Sequence, residues 1–256
     1  MGEAMELIDA NGKLLPVLKI LTDYPRDDLA HDEVHQSLVT ACVKRDVWPV
    51  NIDVGAIPAL DTITAGFKTA QLVFNSQLGY GHIFHTNCAP RKNIVSVQSK
   101  GEKIVLAMTR TGVVLLAVNS GYTLAPFYDA VHAGEMTFYQ TSVPDSGSQF
   151  RSRDYFPDAM ADLTVHMSKK LRELGKDKIQ KLLAAHNFHE ILDGLEYLGE
   201  PMSLSSFPHL PEGAVYYVDS FGNIKLNLKH HKLVQMHPPG TQLIVCLGNT
   251  VSDAIV

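Results

Sequence analysis

Short apolar runs alternate with stretches of helical spacing through the first half of this chain. That alternation constrains the fold more than any other feature. Residues 17–23 form an apolar run closing in Thr22 and Asp23, which predicts a buried strand with a carboxylate at its C-terminal end. Residues 25–28 read as a turn. From His31 to Lys44, Val34, Leu38, Val39, Ala41 and Cys42 recur at roughly helical spacing, with Asp28 or the His31-Asp32 pair as start signals. A second strand is expected over 47–54. A second helix is expected over 61–74, burying Ile63, Phe67, Ala70, Leu72 and Val73. A third strand is expected over 82–87, again ending in polar residues. Further strands are expected at 94–97, 104–108 and 113–118, the last strongly apolar and therefore central. Strands alternating with helices predict an α/β sheet with helices on both faces.

The second half is less regular. Residues 134–157 are rich in turn formers. Pro157 fits the first turn of a helix over 158–174, where Met160, Leu163, Met167, Leu171 and Leu174 make an apolar stripe. Another helical stretch runs from 178 to 186 and could extend to 195. A linker at 201–211 precedes strands at 214–218, 224–228 and 242–247. This divides the chain into an N-terminal α/β domain, 1–207, and a small, shortened C-terminal β domain, 208–256.

Bulk properties narrow the function classes. A chain of 256 residues with a net charge of −5 carries no electrostatic footprint for nucleic acid. No apolar run reaches membrane-spanning length. The acidic start, Met-Gly-Glu-Ala-Met-Glu-Leu, lacks the basic and apolar regions of a signal peptide. Three widely spaced cysteines, Cys42, Cys88 and Cys246, make neither a disulfide framework nor a zinc knuckle, so a reducing cytoplasm is expected. Among twelve histidines, His186 and His189 have i, i+3 spacing, and His230, His231 and His237 sit in a polar stretch. Neither group supplies the three or four converging ligands of a metal site, so no metal is expected.

Several common chemistries lack their residues. There is no Gly-rich phosphate cradle after the first strand and no Gly-x-Ser-x-Gly elbow. Polar residues do gather at the expected strand ends: Asp23, Asn87 and Asn119, with the segment Phe150-Arg151-Ser152-Arg153-Asp154. In an open α/β sheet such ends converge on one crevice. Near the C-terminus, Asp219-Ser220-Phe221-Gly222-Asn223 interrupts two short apolar runs and, taken alone, reads as a hairpin turn.

Taken in order, these segments resemble the S-adenosylmethionine hydroxide adenosyltransferase family, whose halide-using relatives are fluorinase and chlorinase. The family's Thr-Asp-Phe-Gly and following Asp correspond to Leu21-Thr22-Asp23-Tyr24 with Asp27 and Asp28. Ile-Pro-Pro-x-Asp-Val corresponds to Ile57-Pro58-Ala59-Leu60-Asp61-Thr62. Val-Asp-Pro-Gly-Val-Gly-Thr-x-Arg-Arg corresponds to the shorter Thr86-Asn87-Cys88-Ala89-Pro90-Arg91-Lys92. Ala-Pro-Asp-Asn-Gly corresponds to Ala117-Val118-Asn119-Ser120-Gly121, and Thr-Phe-His-Gly-Arg-Asp-x-Phe to Gln149-Phe150-Arg151-Ser152-Arg153-Asp154-Tyr155-Phe156. Asp-x-Phe-Gly-Asn-x-x-x-Asn is intact at Asp219, Phe221, Gly222, Asn223 and Asn227.

The resemblance implies a homotrimer that binds S-adenosylmethionine, as substrate and without cofactor or metal, between the N-domain of one subunit and the C-domain of the next. It implies displacement at C5′ by water or hydroxide, giving adenosine and methionine, with halide as an alternative nucleophile. By position, Asp28 or Asp27 would hold the ribose hydroxyls. Asp219 and Asn223 would hold the methionine end, with Phe221 packed beside the ligand. Asp23, Asn119 and Arg153 complete the expected ligand-binding set. The catalytic set falls on Asn87, Arg91, Arg151 and Ser152. In that set Asn87 stands where the family has a water-positioning Asp, and Arg151 where it has His. Asn cannot take a proton from water, and Arg stays protonated. A homologue that binds a nucleoside without turning it over is therefore an alternative reading. An anion clamp of Arg91, Arg151 and Arg153 around a carboxylate-bearing substrate is another.

Overall fold

A computed structural model describes residues 8, 14–90, 103–141, 150–247 and 250–255. Its chain divides into two compact units, Met1–His209 and Leu210–Val256. The expected strand at 94–97 and Arg91 lie outside the described residues.

The first unit is built on a seven-stranded mixed sheet. In chain order its elements begin β1 (Val17–Thr22), α1 (Leu29–Lys44), β2 (Asn51–Ala56), α2 (Thr62–Phe74) and β3 (His82–Asn87). There follow β4 (Ile104–Thr109), β5 (Val114–Val118), a 3-10 turn at Ala125–Phe127, α3 (Tyr128–His132) and β6 (Met136–Thr141). Helices α4 (Arg151–Asp154), α5 (Phe156–Leu174), α6 (Lys176–Ala184) and α7 (Phe188–Leu192) precede β7 (Leu198–Pro201). The strand order is β2-β1-β3-β5-β4-β6-β7. The first four strands in that order are mutually parallel, with Val17 opposite both Asn51 and His82 and Thr22 opposite both Ala56 and Asn87. Beyond β5 every pairing is antiparallel.

Local chemistry accounts for the helix boundaries. Asp28 caps α1 by accepting from the Ala30 amide at 2.8 Å, and Asp61 caps α2 by accepting from the Thr64 amide at 2.9 Å. Helix α5 has Pro157 in its first turn and stops at Gly175, whose φ of 73° few other residues adopt readily. Strand alternation then sorts side chains between two cores. Ile104, Leu106, Met108, Val114, Leu116 and Val118 pack with residues of α1, α5, α6 and α7. Val105, Ala107, Leu115 and Ala117 pack on the opposite face with residues of α2, α3 and the 3-10 turn. Helices therefore cover both faces. Helix α1 connects β1 to β2 on one side, and α2 returns over the other face to β3, which lies on the far side of β1.

Four expectations change in the first unit. Residues 136–141, expected as turn, form β6, and the linker at 201–211 begins inside β7. The second strand starts at Asn51, four residues later than expected. The helical stretch after 178 is two helices. It breaks at His186, where φ is 56°, so His186 and His189 do not share a helical face. Among the described residues no three His, Cys, Asp or Glu side chains gather in a metal-binding group, and no helix is long and apolar enough to cross a membrane.

The second unit contains two hairpins. One pairs β8 (Val215–Val218) with β9 (Ile224–Leu226), and the other pairs β10 (Gln242–Leu247) with β11 (Thr250–Ile255). Helix α8 (His230–Met236) lies between them in sequence, where a polar loop was expected.

Candidate functional site

Strand β3 is buried along its whole length although four of its six residues are polar. Burial of a polar group is costly unless it is paired, and each pair here ties β3 to another element. His82 Nδ1 lies 2.6 Å from Ser76 Oγ. His85 Nδ1 lies 2.9 Å from the Leu116 carbonyl, which can only accept, so that nitrogen carries the proton. The Thr86 hydroxyl meets Thr69 Oγ1 at 2.7 Å. The Asn87 amide donates to Ser152 Oγ at 2.7 Å.

The chain leaves β1 toward β2 on one side and returns to β3 on the other. The carboxyl ends of β1 and β3 therefore form a topological switch point, the position where open α/β sheets hold ligands. Asp23 and Asn87 stand there side by side, with the Asp23 amide donating to the Asn87 carbonyl at 3.2 Å. The Asp23 carboxylate accepts from the Leu60 amide at 3.3 Å. Leu60 has φ of 61°, an unusual conformation for a γ-branched residue, which holds that amide inward. Burial raises the Asp23 pKa above the usual carboxylate range, and hydrogen bonds from the Leu60 amide, its own amide and the Cys88 thiol offset part of the rise. Cys88 is fully buried, and its pKa is pushed up to about 12 by burial first and then by Asp23 and Asp61. It is a thiol that donates to Asp23, not a thiolate nucleophile.

Ser152 in α4 is bonded both to Asn87, at 2.7 Å, and to the Tyr24 hydroxyl, at 3.0 Å. Tyr24 packs edge-on against Phe150 with ring centroids 5.6 Å apart, and the Arg153 guanidinium lies 4.8 Å from the centre of the same ring. Arg153 pairs with Asp154 at 2.6 Å and reaches Glu33 of α1 at 3.5 Å. Those acidic partners raise its pKa above the usual guanidinium value. Arg151 opens α4 and is half-buried.

Asp23, Asn87 and Ser152 are thus brought together. Arg153 joins through Phe150, its charge already engaged by two carboxylates. Asn119 follows β5, half-buried, its amide donating to the Lys103 carbonyl at 2.8 Å. Asp28 is exposed and occupied as the cap of α1. Tyr24 and Cys88 belong to the constellation although the sequence reading had not chosen them, and Phe150 joins from the segment that it had singled out. Tyr24 and Cys88 adjoin two chosen residues, which was the available signal.

In the second unit, Asp219 closes the β8–β9 turn. Its carboxylate accepts from the Phe221 and Asn223 amides at 2.9 Å each and from the Asn223 side chain at 2.8 Å. These bonds, the Asn223 side chain first, hold its pKa below the usual value. Gly222 has φ of 85°, as the turn requires. Phe221 is left 90% exposed at the tip.

No family model matches the sequence, and no curated protein matches it. The fold is similar to that of an uncharacterized conserved protein from Thermotoga maritima, with a TM-score of 0.61 at 14% identity over 93% of this chain and 82% of that one. A conserved hypothetical protein from Thermus thermophilus aligns at a TM-score of 0.48 and 16% identity, over 93% of this chain and 79% of that one. The likeness to the Thermotoga protein shows a shared fold and nothing about chemistry.

Proposed function

We propose that the protein cleaves S-adenosylmethionine by displacement at C5′ of the adenosyl group, with water or hydroxide as nucleophile. The C5′–S bond breaks and its electron pair leaves on the methionine sulfur. A C5′–O bond forms, and the water proton passes to solvent. The observation that carries the reading is the pairing of Asp23 and Asn87 at the switch between β1 and β3, with Ser152 bonded across to Asn87. Three members of the motif series thereby meet at one end of the sheet.

A sulfonium is a good leaving group, so the work is to orient a desolvated nucleophile in line. On this reading Asn87 and Ser152 orient the water, and Arg91 and Arg151 supply positive charge to developing hydroxide. Asp28 and Asp23 serve the ribose and its surroundings, helped by Asn119 and Arg153. Asp219, Phe221 and Asn223 serve the methionine end. The family resemblance adds a homotrimer with the ligand shared between subunits, and the cysteine pattern adds a reducing cytoplasm.

The test is to incubate the purified protein with S-adenosylmethionine and follow adenosine and methionine by chromatography against a heat-killed control. Halide salts in the same assay reveal any 5′-halo-5′-deoxyadenosine. Absence of all three products excludes the reaction. A second reading, nucleoside binding without turnover, is favoured by one observation: the Asn87 amide donates to Ser152, and neither group is a base. A melting shift with adenosine or S-adenosylmethionine, without product, establishes that reading instead.

A further inference from the structure

A cavity of about 440 Å³ lies in the first unit at the opposite end of the same strands. Its floor is the start of β1, β2 and β3, and its roof is the last turn of α2 with the segment that follows. Its nearest lining residues, Lys19 and Phe84, stand four and three residues before Asp23 and Asn87, roughly 10–13 Å along the strands. Its size falls within the roughly 300–1,000 Å³ of small-molecule sites, and it combines apolar walls with a few polar groups.

Three features define what it can hold. Lys19 of β1 and Asp53 of β2 are register neighbours and form an ion pair on the floor, their side chains 24% and 39% exposed. Lys19 keeps further donor hydrogens and Asp53 keeps its second oxygen, so the pair presents adjacent positive and negative charge. His82 also lines the cavity and is more than nine-tenths buried. Ser76 Oγ accepts from the Leu78 amide at 3.3 Å and lies 2.6 Å from His82 Nδ1, a bond that either partner can donate. His82 Nε2 has no partner among the described residues. A buried polar nitrogen left unpaired is costly. The walls are Val17, Leu72 and Leu78.

We propose that this cavity binds a small zwitterion with an apolar side chain, of the α-amino acid class. The carboxylate lies against Lys19, the ammonium against Asp53, and the side chain against Leu72 and Leu78. A simple anion is disfavoured because Asp53 stands beside Lys19, and a simple cation is disfavoured by Lys19.

Titration calorimetry with L-leucine tests this, with 3-methylbutylamine and 4-methylpentanoate as probes lacking one charge each. Leucine is expected to bind saturably, and each singly charged analogue at least roughly tenfold more weakly. Leu72→Arg, at a lining position 36% exposed, places a long charged side chain in the cavity and abolishes binding. Asp53→Asn lowers leucine affinity while both variants keep the wild-type melting profile. Phe221→Ser, in the other unit, leaves leucine binding unchanged. The proposal is overturned by absence of saturable heat with leucine or by equal binding of either analogue. Loss of binding in Phe221→Ser with retention in Leu72→Arg overturns it equally.

Discussion

The Asn87 amide donates to Ser152 Oγ at 2.7 Å and so fastens the end of β3 to α4, with 65 residues of chain between the two groups. Both are buried, so neither has water as a substitute partner. Ser152→Ala is expected to strand the amide and cost about 1–3 kcal/mol of stability. It also releases the Tyr24 hydroxyl. Urea unfolding measures the loss, and a double-mutant cycle with Asn87→Ala isolates the coupling. A coupling near zero would show that the bond does not link the two elements energetically.

Gly66 lies within α2, where Ala is intrinsically favoured by about 1 kcal/mol. Here the opposite is expected. A Cβ at Gly66 would come 2.6 Å from the Thr123 carbonyl oxygen and 3.0 Å from that of Tyr122. Those atoms are backbone, in the turn after β5 that Thr62 holds through the Tyr122 amide at 3.1 Å. Overpacking of this kind costs about 1–3 kcal/mol and outweighs the propensity gain. Gly66→Ala should therefore lower the melting temperature.

His85 gives the fold a defined acid sensitivity. Burial lowers its pKa to about 4, only partly offset by the bond to Leu116, while its ring stacks on Phe156 at 3.9 Å. In the unfolded chain the ring takes up a proton near its ordinary value of about 6.5. Between those values the unfolded state binds more protons, so stability rises with pH. The contribution is complete above about 6.5 and is lost as pH falls toward 4, by on the order of 3 kcal/mol. Urea midpoints of the wild type and His85→Phe across this window provide the check. The variant loses the Leu116 bond at every pH, so the informative quantity is the slope, which should be shallower.

How far the fold can be read from sequence depends on where each signal resides. The strands over 17–22 and 82–87 and the start signal at Asp28 are written in adjacent residues, and the structure has them there, while Asp61, expected inside the second helix, is its cap. Strand β6 is not readable in that way. Its six residues sit between Gly134 and a turn-rich segment that dominates any window, and it becomes a strand by pairing with β4. Helix α7 and the break before it depend on His186 adopting a left-handed backbone, which composition does not announce. At the candidate site, Asp23 and Asn87 follow from the strand-end rule. The convergence of Tyr24 with Ser152 spans 128 residues and is a property of the packed chain alone.

Phe221 separates function from stability most cleanly. It is 90% exposed at the tip of a turn held by Asp219, Asn223 and Gly222, none of which needs the ring. Phe221→Ser should therefore shift stability by no more than about 0.5 kcal/mol. If the ring packs against S-adenosylmethionine, the same change should lower affinity by about 1–2 kcal/mol, roughly a tenfold loss or more. Asp219→Ala should instead loosen the turn itself, seen as loss of protection of the Phe221 and Asn223 amides by nuclear magnetic resonance. Thermal melts with and without S-adenosylmethionine distinguish the two roles. A Phe221→Ser protein with unchanged melting and an unchanged ligand response would remove this turn from the site.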